Sequence, residues 1–320
     1  MSMARSRSPS SGLVISALVL VQVLFGLNYA VSKGIVGLFP PLVWASMRIA
    51  IATVGILGVT LAMRRPHPGD LKKFFIPMIG LALLGTIINQ ASFLVGLRHT
   101  TATNSAVLNS LIPIFTLLIV TIRGQEKLSP RRAIGFLLAL SGVLVIRKIE
   151  TMRLSDETLL GDSLTILNCF SYACFLSFGK KFTESHDRLW TTTWLFIYGT
   201  VGITLLSLPE WRGFSFPAIL PSMWASMIFS ILGATLLTYF LNVWTLSKVT
   251  SSQVAIFIYL QPVVGAAFAW FWLSEELTFR TVLASVLIFM GMLLALESRR
   301  PRWWNRFRRA SSAAEEGIAS

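Results

Sequence analysis

Amides and phenols recur at helical spacing inside the apolar stretches of this sequence. Asn168, Ser171 and Tyr172 stand at i, i+3 and i+4, Tyr239 and Asn242 at i and i+3, and Gln22 and Tyr29 at i and i+7 with Asn28 beside them. Gln253, Phe257 and Gln261 follow at i, i+4 and i+8. Such spacings gather side chains on one helix face. Asn89, Gln90, Asn104, Asn109 and Tyr259 add further polar groups, and Arg48 is a cation set about 10 Å into an apolar stretch at 1.5 Å per residue. Polar groups at that depth are costly unless they face a protein interior or a water-filled cavity. The chemistry open to them is hydrogen bonding to a polar solute. For any one residue, cementing helix contacts is an equal alternative; for the set, a polar central cavity is favoured. Arg48 fits three roles: binding a substrate carboxylate, snorkelling outward to the interface, or donating to helix-end carbonyls.

The residues of covalent catalysis are differently arranged. His67, His99 and His186 fall in three separate loops, and Cys169 and Cys174 share one apolar block as small core hydrophobes. No metal-ligand spacing and no glycine-lysine phosphate loop occurs, so no catalytic residue, metal or cofactor is expected. Asp162 and Glu275 border apolar stretches, and no carboxylate lies deep within one. Proton coupling therefore stays open beside simple facilitation. Glu126 and Glu275 each precede a helix start, where an acid suits the dipole. Gly80 and Gly85 read as points of close helix contact.

The elements that position these groups follow from composition. Of 320 residues, 54% are hydrophobic and only 13% charged, about half the charge usual in soluble domains. The apolar residues arrive in blocks near 12–32, 42–62, 74–96, 101–122, 133–147, 161–182, 190–208, 222–246, 251–273 and 280–297. Helices of about 20 residues cross a bilayer core, so the chain reads as an all-α integral membrane protein with ten transmembrane helices. With both termini inside, 20 of the 28 Lys and Arg fall on the cytoplasmic side and 7 on the other. The positive-inside rule then makes the protein multi-pass in the cell (inner) membrane with cytoplasmic termini. The tail at 299–320 interleaves arginines with Trp303, Trp304 and Phe307. It reads as a contact with the lipid bilayer, and no nucleic-acid partner is expected.

The sequence also repeats itself. Residues from Leu97 align without gaps on those from Leu246, matching Leu97/Leu246, Thr101/Thr250, Pro113/Pro262, Glu126/Glu275 and Gly142/Gly291. A shared mid-span proline followed at fixed distance by Glu-x-Leu and a glycine indicates two five-helix units, 12–147 and 161–298. They are joined by a loop at 148–160 and flanked by tails at 1–11 and 299–320. Five being odd, the second unit enters from the opposite side, giving inverted-topology repeats, the plan of secondary transporters with a midplane site. Pro113 and Pro262 each remove a backbone donor, and are expected to act as a symmetric pair of hinges beside the substrate path.

The run GLRHTTATNSAVLNSLIPIFTLLIVTIRGQEKLSPRRAIGFLLALSGVLVI and its echo TLSKVTSSQVAIFIYLQPVVGAAFAWFWLSEELTFRTVLASVLIFMGMLLAL resemble the EamA domains of the drug/metabolite transporter superfamily. SKGIVGLFPPLVWASMR, ending in Arg48, is similar to the start of that family's second helix, whereas DRLWTTTWLF in the second half has no arginine inside the helix. The resemblance implies a ten-helix carrier, not an enzyme, that exports amino acids, related metabolites or drugs. The expectation is a secondary transporter of small polar metabolites working by alternating access. Asn28, Tyr29, Arg48, Asn89, Gln90, Asn109, Asn168, Tyr172, Tyr239, Asn242, Tyr259 and Gln261 are its expected contacts with a small-molecule substrate. Abundant Phe and Trp leave a carrier of lipid-linked or drug-like amphipathic molecules as the alternative.

Overall fold

A computed structural model describes residues 11–100, 105–106, 108–146, 156–264, 267 and 279–296. The tails, the connection at 147–155, Asn104 and Glu275 lie outside the described residues. Among the described residues every regular element is a helix. The first repeat comprises α1 (Ser11–Leu38), α2 (Pro41–Ala62), α3 (Ile76–Ala82), α4 (Asn89–His99), α5 (Leu111–Ile122) and α6 (Pro130–Ile146). The second comprises α7 (Asp156–Ser185), α8 (Arg188–Trp211), α9 (Pro221–Ile228), α10 (Thr238–Leu246), α11 (Ser251–Ile256) and α12 (Phe279–Leu296). Wider π-helical turns at Leu83–Ile88 and Phe229–Leu237 join α3 to α4 and α9 to α10, and another spans Leu71–Phe75.

Helical segments occupy all ten places at which apolar blocks occur. Six are long and apolar enough to cross a membrane: Gly12–Leu38, Pro41–Ala62, Lys72–His99, Leu159–Ser185, Arg188–Trp211 and Pro221–Leu246. The other four, Leu111–Ile122, Pro130–Ile146, Ser251–Val264 and Val282–Leu296, are shorter within the described residues. Large apolar side chains such as Val54, Ile122 and Leu205 point outward, as a lipid-facing surface requires.

The halves agree element by element. α2 begins at Pro41 and α8 at Arg188, the same interval that separates Thr53 on the one from Thr200 on the other. α4 and α10 begin at Asn89 and Thr238, α6 and α12 at Pro130 and Phe279, and the π turns end at Ile88 and Leu237. These three pairs share one interval, that of Gln90 and Tyr239. In each half a lysine of the first helix caps carbonyls at the end of the third segment. Lys33 Nζ donates to Leu97 O and Thr100 O, both at 2.7 Å, and Lys180 Nζ donates to Leu246 O at 2.8 Å. Besides their place in the charge count, these lysines thus hold helix ends.

Directions follow from cross-contacts. α1 runs parallel to α4, with Lys33 over Leu97 and Tyr29 edge-on to Phe93. α4 runs antiparallel to α7, since Asn89 meets Asn168 while Thr100 meets Asp162. α2 and α8 are antiparallel too, joined by Thr53–Thr200 and Thr60–Thr193 hydrogen bonds of 2.8 Å. α6 and α12 cross antiparallel through glycine. A Cβ on Gly142 would sit 2.7 Å from Ala284 O, and one on Gly291 2.6 Å from Gly135 O, so the backbones themselves touch, as small residues permit in membranes.

Two local expectations change. Gly85 makes a close contact, its missing Cβ falling 2.4 Å from the Phe175 ring, but Gly80 has no described residue within 4 Å because it faces outward. Glu126 does not cap the helix that comes after it. Its carboxylate accepts the Ser252 backbone N–H at 3.1 Å and pairs with Arg132, because the 124–129 turn folds back under the start of α11 in the other half. Glu210 does likewise at the far end of α8, accepting the Leu42 and Val43 N–H groups at the start of α2.

Candidate central polar cavity

A cavity of about 70 Å³ opens where α1, α2, α4, α5, α7, α10 and the Ser251–Val264 segment converge. At roughly 10–15 Å³ per water, it holds a few waters. Eleven of the expected contacts line it: Asn28, Tyr29, Arg48, Asn89, Gln90, Asn109, Asn168, Tyr172, Tyr239, Asn242 and Gln261. Gln22 joins them, and Phe25, Phe93, Ile112, Val254 and Ile258 supply apolar wall.

One wall is a hydrogen-bonded chain that starts at the cation. Arg48 Nη2 donates to Gln90 Oε1 and Nη1 to Ser230 Oγ at 3.3 Å. Gln90 Nε2 donates to the Tyr239 hydroxyl and to Asn89 Oδ1. Asn89 Nδ2 donates to Asn168 Oδ1 at 2.6 Å, Asn168 Nδ2 to Asn109 Oδ1 at 2.8 Å, and Asn109 Nδ2 to Ser105 O at 2.8 Å. The chain thereby runs from α2 through α4 and α7 to the fourth segment. Across the cavity, Gln261 Nε2 donates to Gln22 Oε1 at 2.7 Å, and Gln261 Oε1 accepts the Tyr29 hydroxyl at 3.1 Å. Linked in this way, the amides hold fixed donor and acceptor directions in a medium of low dielectric.

The π turns place the central residues. A π turn holds i→i+5 bonds, is wider than an α turn and is frequent at functional sites. At Leu83–Ile88, Leu84 O accepts Ser171 Oγ at 2.6 Å and Gly85 O accepts the Tyr239 hydroxyl at 3.1 Å. Asn89 and Gln90 follow directly. In the other half, Ser230 O takes Thr235 Oγ1 five residues on, and Ser230 Oγ takes Arg48.

Both prolines lie beside the cavity and are buried. The fourth segment breaks into a turn at Asn109–Ser110 before α5 resumes at Leu111, and the ninth tightens to a 3₁₀ turn at Phe257–Tyr259 before helix resumes at Leu260. Each interruption includes the residue whose carbonyl the proline, four residues later, cannot serve. Asn109 and Ile112, with Ile258 and Gln261, line the cavity at these places.

Tyr259 is not among the lining residues. It is fully buried against the Phe136 ring, 6.4 Å between centroids. Gln253 completes a capping box with Thr250 at the start of α11, and Ser171 is spent on Leu84 O. Ser230 carries no sequence signal, being a lone serine in an apolar block. Among the described residues no three His, Cys, Asp or Glu side chains come together as a metal site, and both cysteines are buried and free.

Comparison with known proteins agrees with this architecture. The EamA-like transporter family matches residues 12–148 and again 159–296. An uncharacterized transporter of Archaeoglobus fulgidus is 28% identical over 67% of this chain and 73% of its own length. A second, from Bacillus subtilis, is 24% identical over 86% and 90%. An Escherichia coli protein bearing the name "Probable amino-acid metabolite efflux pump" is 28% identical over 86% and 92%. A solved crystal structure superimposes with a TM-score of 0.71 at 15% identity, over 90% of this chain and 97% of that one, a likeness of fold. With the family matched once over each half, the chain belongs to the EamA-like transporter family.

Proposed function

We propose that this protein is a secondary transporter that exports small polar metabolites, amino acids or related compounds, across the cytoplasmic membrane by alternating access. The observation that carries the reading is the central cavity, whose amides and phenols come from both repeats and would hydrogen-bond a polar solute while the apolar exterior meets lipid. The relative from Escherichia coli with an efflux-pump name supports the substrate class and the direction.

The cavity-lining residues are the proposed substrate contacts, and the interrupted helices at Pro113 and Pro262 the proposed hinges. Inverted topology over 12–147 and 161–298 is supported by the antiparallel pairing of equivalent helices, α2 with α8 and α6 with α12. Lys33 and Lys180 agree with it: Lys180 lies about 27 Å along α7 from Asp162, so the two lysines stand at opposite ends of the bundle. With both termini cytoplasmic, Lys180 is inside and Lys33 outside, in keeping with the loop charges.

The test is counterflow in proteoliposomes of the purified protein, preloaded with a pool of α-amino acids and related metabolites. Selective exchange of one chemical class, reduced tenfold or more by Asn168→Ala or Gln261→Ala at equal reconstitution, is the expected result. Exchange of nothing in the pool by the wild type overturns it.

A further inference from the structure

Arg48 is the anomaly of the cavity. Its side chain is 2% exposed, on a helix that crosses the apolar layer. Among the described residues it has no carboxylate partner: the ion pairs are Lys73–Asp70, Arg132–Glu126 and Lys180–Glu184. Two neutral groups, Gln90 Oε1 and Ser230 Oγ, take one bond each, and Nε has no partner among the described residues. Elsewhere in this protein a buried arginine is matched: Arg132 meets Glu126 and also Lys127 O. A guanidinium carries five donors in a planar fork and stays charged, and burying such a charge without a counter-charge is costly. A fold that retains it leaves an anion-binding valence open toward the cavity.

We propose that Arg48 is the carboxylate-binding subsite of the cavity, so that the transported species carries a carboxylate group held by this guanidinium. The proposal rests on the transport reading above and names its substrate chemistry. A carboxylate presents two oxygens matched to the fork and supplies the missing charge at once. Displacing the Gln90 carbonyl from Arg48 would free that amide to reorient toward the solute. Opposite charge is not available from any other lining residue, since the rest are neutral. A second group with no partner among the described residues, the carbonyl oxygen of Asn28, belongs to the same lining and would accept from an ammonium or hydroxyl on the far end of the solute.

The repeat sharpens the inference. With α2 and α8 in the register that matches Thr53 to Thr200, the counterpart of Arg48 is Leu195, buried and neutral. A cavity otherwise built from both halves therefore carries its one charge on one side of the pseudo-symmetry. A solute with a single carboxylate is bound in one orientation, not two.

The decisive comparison is between acids and their neutral amides. Purified protein in detergent is heated alone, with a pool of α-amino, 2-hydroxy and 2-oxo acids, and with the matched pool of primary amides. The acid pool is expected to raise the midpoint of unfolding and the amide pool to leave it unchanged. Arg48→Gln is expected to abolish the shift, and Arg48→Lys, which keeps the charge and loses the fork, to weaken apparent affinity at least tenfold. Equal shifts with both pools, or no shift with acids in the wild type, overturn the subsite. The wild-type comparison needs no variant to fold. In proteoliposomes the same pools separate the two claims. Acids that bind without being moved leave the subsite standing and refute transport. Amides moved as fast as acids refute the subsite and leave transport standing.

Discussion

Gln90 and Tyr239 stand 149 residues apart, at the same place in the two repeats, and the Gln90 amide donates to the Tyr239 hydroxyl. Thr53 and Thr200, equivalent in α2 and α8, meet in the same way. With the repeats inverted as proposed, a contact between equivalent positions lies on the axis that relates them. If alternation exchanges the shapes of the two repeats, such contacts are retained, while those away from the axis trade places. Arg48, whose bonds to Gln90 and Ser230 have no counterparts, is then sensitive to which shape each half has adopted.

Tyr239→Phe tests the axial contact. The ring stays packed on Phe196, 5.1 Å between centroids, and only the hydroxyl that accepts from Gln90 and faces Gly85 O and Asn89 Oδ1 is lost. Thermal unfolding is expected to register about 1 kcal/mol of destabilisation. Counterflow is expected to fall several-fold, more than that small loss explains. Unchanged counterflow would leave the axial bond a purely structural one.

The prolines are tested by Pro113→Ala and Pro262→Ala. Each substitution restores an N–H able to meet the carbonyl four residues earlier, Asn109 O or Ile258 O. Helix propensity favours alanine by up to about 3 kcal/mol in a helix interior. Stability is expected to hold or rise while the turnover rate drops, since a straightened helix loses its bend. Both variants turning over at the wild-type rate would refute the hinge assignment.

At the α6–α12 crossing, Gly142→Leu and Gly291→Leu drive a side chain into opposing backbone. Overpacking costs about 1–3 kcal/mol and more where backbone must move. Folded yield in detergent is expected to collapse for both, whereas Gly34→Leu, where no described residue lies within 4 Å, expresses normally.

Glu126→Ala removes a carboxylate about 8% exposed that holds Arg132, the Ser252 amide and the Ser252 hydroxyl. Breaking a buried pair from one side costs about 3–5 kcal/mol. The midpoint of thermal unfolding is expected to fall steeply. The double variant Glu126→Gln with Arg132→Gln is expected to recover part of the loss, because no charge is then left alone.

Much of the cavity was legible because amides in apolar helices announce themselves and because their spacing assigns a face. Asn168 and Tyr172, placed on one face by i and i+4, do line the cavity. The ninth segment misleads for a definite reason. Val254, Ile258 and Gln261, at i, i+4 and i+7, form the tighter helical face and line the cavity, whereas Gln253 stands at the helix start and is used in the capping box with Thr250. Tyr259, two positions before Gln261, is carried to the far side of the helix, toward Phe136. The threonine pair at Thr53 and Thr200 left no trace in sequence, since threonine is common in apolar helices and the two partners belong to different halves of the chain. Nor did either π turn, whose residues, LLGTII and FSILGATLL, satisfy an ordinary helical pattern.

Those π turns set the angular position of the helix that leaves them. Each accommodates surplus chain within a helix that otherwise advances about 100° per residue, so α4 leaves the Leu83–Ile88 turn rotated relative to an unbroken α-helix. Winding all six residues of 83–88 as ordinary α-helix would keep every amide in the chain and every helix in the fold. Asn89 and Gln90 would nevertheless be turned by about 100°, away from Asn168, Tyr239 and Arg48 alike. Loss of the cavity would then come from a change of phase alone, with the chemistry of the side chains intact.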